Sequence, residues 1–228
     1  MSWLWSNFGL VWDLTVAHVT LSVFPIVIGF IVSLPIGWVA NRYRVSRGIL
    51  LTLGGILYAI PSLPLFVAMP ALIGTQILDP KNVVVALSLY ALALMVRTTA
   101  DALASVPGDV MQSATAIGFS TWRRFWAVEL PLAGPVLLAG LRVVSVSTVS
   151  LVSVGSLVGV SNLGTMFVQG LNQYNNAEVV TGIVGIIIIA LIFDLALVLL
   201  GRLLMPWTRL GTNKRVTRRA ALKAVTGA

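Results

Sequence analysis

Five long apolar runs, at residues 14–40, 49–73, 83–96, 136–160 and 179–205, alternate with short stretches that hold nearly all of the charge. A helix needs about 20 apolar residues to cross the hydrocarbon of a bilayer. Four of the runs exceed that length. The third reaches it only if its helix continues through Arg97 toward Ala104, with the guanidinium snorkelling to the headgroups; the alternative is a re-entrant hairpin. The pattern predicts an all-α membrane protein with five transmembrane helices.

The charged stretches are lopsided. Arg42, Arg44 and Arg47 follow the first run, and Arg97, Arg123 and Arg124 lie between the third and fourth. Arg202, Arg209, Lys214, Arg215, Arg218, Arg219 and Lys223 follow the last, whereas the opposite set of loops holds only Lys81. The positive-inside rule then puts the N-terminus outside and the C-terminus in the cytoplasm, which suits an odd number of crossings. Trp3, Trp5, Phe8 and Trp12 read as an anchor in the outer interface. No basic stretch precedes the first run and no small-residue cleavage site follows it, so it reads as a span and not as a removable signal.

Composition narrows the chemistry. Of 228 residues 58% are hydrophobic and 10% charged, where a soluble domain carries about a quarter charged residues. One histidine, no cysteine and seven carboxylates supply no plausible catalytic centre, metal site or cofactor site. The net charge of +8 does not indicate nucleic acid, because the basic tail has no aromatic residue past Trp207. That tail reads as an electrostatic anchor on the inner leaflet. A stand-alone secondary transporter is disfavoured by the lack of a visible inverted repeat.

Within this greasy chain the cytoplasmic segment 107–131 is the polar exception. Pro107-Gly108-Asp109 opens it, with Asp109 as the expected N-cap and Gln112 as its capping-box partner. A helix over 110–117 would end at Gly118, which takes a left-handed conformation without steric cost. Ser120 would cap a second helix carrying Trp122, Phe125 and Trp126, and Pro131 would stop it. The small residues Ser113, Ala114 and Ala116 on the first arm would let a partner's surface come close.

At these residues the chain resembles the membrane-spanning permease subunits of binding-protein-dependent ABC importers, over about residues 15–206. Their cytoplasmic signature is Glu-Ala-Ala, three residues, Gly, nine residues, then Ile-x-Leu-Pro. Gln112, Ser113, Ala114, Gly118, Val128, Leu130 and Pro131 occupy those positions, with Gln112 in place of the acid and Ser113 in place of the first alanine. The resemblance implies a type I importer permease fold in which 112–118 is a coupling helix docked on a separate ATPase. Gln112, Ser113, Ala114, Ile117, Gly118, Leu130 and Pro131 are then the candidate ATPase-coupling residues. The chain itself has no Gly-x-x-x-x-Gly-Lys-Ser/Thr and no Gly-Lys dipeptide to cradle a phosphate. The implied partners are a pair of ATPase subunits, a second permease subunit (a copy or a relative), and an extracytoplasmic binding protein. The implied division is an outer anchor at 1–13, a transmembrane permease domain at 14–206 and a basic cytoplasmic tail at 207–228.

Further runs are similar to permeases for glycine betaine, choline, carnitine and related osmoprotectants. Ala59-Ile60-Pro61-Ser62-Leu63-Pro64-Leu65-Phe66 resembles their Ile-Pro-Ser-Leu-Ala-Leu run. His18-Val19-Thr20-Leu21-Ser22 and Leu34-Pro35-Ile36-Gly37 look like parts of their first helix, and Leu163-Gly164 like their Gly-Leu-Gly. Val96-Arg97-Thr98-Thr99 partly matches their Arg-Asn-Thr, with Thr98 for Asn. The resemblance implies an importer of quaternary ammonium solutes; the alternative is an importer of amino acids or another small solute. Tyr58, Pro61, Ser62, Phe66 and Asp194 are the candidate pathway residues. Aromatic faces suit such cations, and Pro61 and Pro64 interrupt the second run, freeing backbone carbonyls. Asp194 is the one carboxylate deep in a span, where it serves a gate or a hydrogen bond to another helix; Arg142 either snorkels or pairs with it. His18, near the outer surface, reads as an interfacial hydrogen-bonder. Gly182 and Gly185 read as close-packing positions.

Overall fold

The computed structural model describes residues 2–208, all of whose regular structure is helical. A short α1 (Ser2–Ser6) precedes α2 (Phe8–Arg42), so helix begins within the stretch expected to be an anchor. Then come α3 (Arg44–Ala59), α4 (Ser62–Ile73), α5 (Pro80–Ala104), α6 (Gly108–Ala116) and α7 (Thr121–Arg124). A π turn (Phe125–Glu129) leads into α8 (Leu130–Val152) and a 3₁₀ turn (Ser153–Val158), followed by α9 (Thr165–Asn172) and α10 (Asn176–Leu204). The basic tail at 209–223 lies outside the described residues.

Four rods are long and apolar enough to span: Phe8–Arg42, Pro80–Ala104, Thr121–Val158 and Asn176–Leu204. The third apolar run is thus one unbroken helix through Arg97, and not a re-entrant hairpin. Asp79 starts it by accepting a hydrogen bond from the Lys81 amide at 2.9 Å, with Pro80 at the first position. The second run is not one rod. α3 and α4 meet at 103° and together make the fifth, broken crossing.

Contacts fix the directions. A Cβ added at Gly29 would sit 2.6 Å from Ala91 Cβ, and one at Gly37 would sit 2.5 Å from Thr99 Cβ. The constant offset between partners makes α2 and α5 parallel, their backbones close because these two positions lack side chains. Arg47 pairs with Asp101 at 2.5 Å, and the Tyr90 hydroxyl with Ile60, so α3 runs antiparallel to α5. The pairings Arg142–Asp194 and Gly201–Leu138 make α8 and α10 antiparallel. Arg42, Arg47, Arg123, Arg124 and Arg202 therefore gather at one end, the end that charge asymmetry assigns to the cytoplasm.

The core lies around α5. Val83, Ala86, Leu87 and Tyr90 pack with Leu21 of α2, Leu65, Phe66 and Met69 of α4, and Val152 and Val160. A second cluster joins Leu14, Val149, Leu163, Met166 and Ile189 near the outer end. α10 is the least covered rod, with 6% of its most apolar stretch buried. Gly182 lets α10 close on α9, since a Cβ there would meet Phe167 Cε1 at 2.9 Å.

Candidate functional site

At the cytoplasmic end α6 and α7 form the elbow. Pro107 supplies the N-cap of α6 with φ −58° and ψ 135°, and the helix starts at the next residue, Gly108. Asp109 is consequently inside the first turn and not the cap, where its carboxylate faces the positive end of the helix dipole. The proline ring presets the backbone before Asp109 could cap it. At the other end Gly118 has φ +89°. The Phe119 amide donates to Ala114 O at 3.1 Å and the Gly118 amide to Thr115 O at 3.0 Å. These two bonds are the Schellman closure that a glycine at C′ permits. Ser120 then caps α7, its side chain accepting from the Arg123 amide at 3.4 Å.

Pro131 does not end this second arm. The helix continues from Thr121 to Val158, and the π turn shows why. The Leu130 amide bonds to Phe125 O, five residues back, in place of the usual four. That wider turn makes room for the Pro131 ring next to a carbonyl its missing N–H cannot satisfy.

The coupling candidates separate by exposure. Gln112, Ser113, Ile117 and Gly118 are exposed, Ile117 at 74%, and form the tip of the elbow. Ala114 is buried within the chain itself, so its small side chain serves the elbow's own packing and not a partner's approach. Leu130 packs with Ala102, Leu103, Phe125, Ala133 and Leu137. Pro131 sits half-buried at the root of α8. The second arm rests on α2 through Phe125, which meets the Trp38 ring edge-on at 6.2 Å.

The structure also brings in two residues that the motif does not mark. Arg124 donates through Nε to Glu129 Oε1 at 3.0 Å and through Nη1 to Thr115 Oγ1 at 2.7 Å. Glu129 is 3% exposed. A carboxylate placed one residue before Leu-Pro, five residues after an arginine, is a signal the sequence contains, but only the π turn puts the pair within reach.

The candidate pathway residues do not form one cluster within the chain. Tyr58 and Pro61 lie exposed at the α3–α4 break, with Ser62 half-buried beside them. Tyr90 closes that break from α5: its hydroxyl donates to Ile60 O at 2.5 Å, and its ring meets Tyr58 edge-on at 5.8 Å. Phe66 is instead 1% exposed in the central core, because α4 turns back onto α5 and carries it inward. Asp194 lies apart on α10. Arg142 binds it in two places, Nε to Oδ1 at 2.6 Å and Nη2 to Oδ2 at 2.8 Å. His18 is fully buried within the chain, its Nε2 2.9 Å from Val149 O.

The described residues thus form a helical membrane protein of five crossings, with a two-armed elbow exposed at its basic end. The chain belongs to the family described as the binding-protein-dependent transport system inner membrane component, whose model matches residues 26–210. It is thus a multi-pass permease of the inner membrane, not an enzyme, whose family works with an ATPase and a substrate-binding protein. Among its relatives is the choline transport system permease protein OpuBB of Bacillus subtilis, 29% identical over 84% of this chain and 87% of that protein. The glycine betaine/carnitine/choline transport system permease protein OpuCB of the same organism is 28% identical over 90% and 94%. The osmoprotectant import permease protein OsmW of Salmonella typhimurium is 28% identical over 82% and 88%. Among solved structures, the MetNI methionine ABC transporter aligns with a TM-score of 0.77 at 22% identity, covering 87% of this chain and 98% of that one. This last likeness is one of fold alone.

Proposed function

We propose that this chain forms the membrane pore of an ATP-driven importer of osmoprotectants such as choline, glycine betaine or carnitine. The observation that carries the substrate class is the near full-length likeness to permeases named for those solutes. Tyr58, exposed beside the α3–α4 break, supports it, since an aromatic face attracts a quaternary ammonium without hydrogen bonds. The elbow tip of Gln112, Ser113, Ile117 and Gly118 docks on the ATPase, with Leu130 and Pro131 joining it to the pore. Nucleotide-driven closure of the ATPase pair moves two elbows, one from each of two permeases, and alternates access to the pathway. Gln112 makes that contact through an amide where the signature has a charge.

The test is uptake by the reconstituted complex of permease, ATPase and binding protein. Labelled choline or glycine betaine should accumulate with ATP and binding protein both present. Uptake of an amino acid with no uptake of either solute would overturn the substrate reading. Failure of any ATPase to co-purify would overturn the coupling reading.

A further inference from the structure

Between the elbow tip and the root of α8 the backbone offers a poor lever. It leaves α6 through Gly118 in a left-handed turn and re-enters helix at Thr121. A push on α6 could be absorbed at that joint. One side chain crosses it. The Arg124 guanidinium holds Thr115 on the first arm and Glu129 in the π turn at the same time. The Thr115 hydroxyl gives its own hydrogen to Met111 O at 2.9 Å, so a lone pair faces the arginine. At the other end the Glu129 side chain is 4% exposed and that of Arg124 13%. A carboxylate so deeply buried is held only with its cation in place, and the planar guanidinium fixes both directions of the fork together.

We infer that Arg124, anchored on Thr115 and Glu129, is the positioning residue that makes the coupling helix and α8 move as one body. The inference rests on the coupling reading above and adds the route by which elbow movement enters the membrane. Thr115 bears the load at the cytoplasmic end and Glu129 delivers it where α8 begins.

The experiment uses the full complex in proteoliposomes, reading both solute uptake and ATP hydrolysis. Thr115→Val removes the acceptor while keeping the side chain's shape, and Arg124→Lys keeps the charge but cannot hold both anchors. Each should retain its ATPase and hydrolyse ATP, while solute moved per ATP falls about fivefold or more. Thr115→Ser, which restores the hydroxyl, should return the ratio to that of the parent. A purely structural role would lower the amount of complex without changing this ratio. An unchanged ratio in Thr115→Val and Arg124→Lys, with Gly118→Val uncoupled, overturns the strut and leaves the coupling reading standing. If Gly118→Val also remains coupled, the coupling reading fails first. Loss of the ATPase from Thr115→Val would make Thr115 a docking contact, and that too overturns the strut.

Discussion

Ile60 ends α3 in extended backbone and lies just before the cap of α4, so its carbonyl belongs to neither helix's ladder. The Tyr90 hydroxyl donates to it. Tyr90→Phe keeps the ring but removes the hydrogen bond that ties the break to α5, which costs about 0.5–1.5 kcal/mol. Thermal unfolding of the detergent-solubilised protein should show the loss, and an unchanged midpoint would mean the break needs no cover. The two prolines, Pro61 and Pro64, were legible in the sequence, but the tyrosine that ties the break to α5 was not, because it lies 30 residues away on another helix. Arg142 and Asp194 were legible as a candidate pair, because both lie inside apolar runs toward the cytoplasmic side. In the structure the guanidinium meets both carboxylate oxygens. Removing either partner strands the other in an apolar setting, so Arg142→Ala and Asp194→Ala should each lower stability. The double variant should be no worse than the poorer single one; additive losses in unfolding midpoint would break this account.

Helices show how local rules and tertiary contacts divide the work. At Gly118 an added Cβ would meet nothing within 4 Å, so space is not what demands glycine there. The left-handed φ is, and a β-branched side chain would raise the cost by about 1–2 kcal/mol. Gly118→Val should therefore open the Schellman turn and reorient the tip, uncoupling ATP hydrolysis from uptake while the chain still inserts. Normal solute-driven turnover would refute that. At Gly37 the demand is the opposite, since φ is ordinary but α5 is in the way. Gly37→Val drives its Cβ into Thr99 and toward the Ala100 amide, and should destabilise by about 1–3 kcal/mol or more. Gly55→Ala, open to space on α3, should leave the unfolding midpoint unchanged or raise it. Comparing the two midpoints tests whether the α2–α5 seam depends on close approach. Elbow boundaries were legible from Gly118 and Ser120, whereas the cap at Pro107 and the passage through Pro131 were not. Both depend on prolines being accommodated in ways that single-residue preferences do not describe.

At the scale of the whole molecule, five crossings put the turn between α4 and α5 on one side and the elbow on the other. The chain has no cysteine, so single replacements report cleanly. Leu78→Cys, at an exposed outer turn, should react with an impermeant maleimide in intact spheroplasts. Ser113→Cys should react only after permeabilisation; labelling of Ser113→Cys from outside, with Leu78→Cys silent until permeabilisation, would reverse the topology. The thin cover on α10 fits a rod that faces lipid or a second permease.

What the sequence determined by itself was the set of properties that a bilayer imposes locally: crossing number, direction, and a polar elbow ended by glycine. These depend on transfer free energy and backbone preference, which act residue by residue. Only the tertiary structure decided that the second crossing is broken at 103° and sealed by Tyr90, that Phe66 turns into the core, and that Arg124 spans the elbow to Glu129. Each of these joins residues that no period relates: Tyr90 and Arg124 meet polar groups across a break and a turn, and Phe66 is carried into the core by the direction of α4.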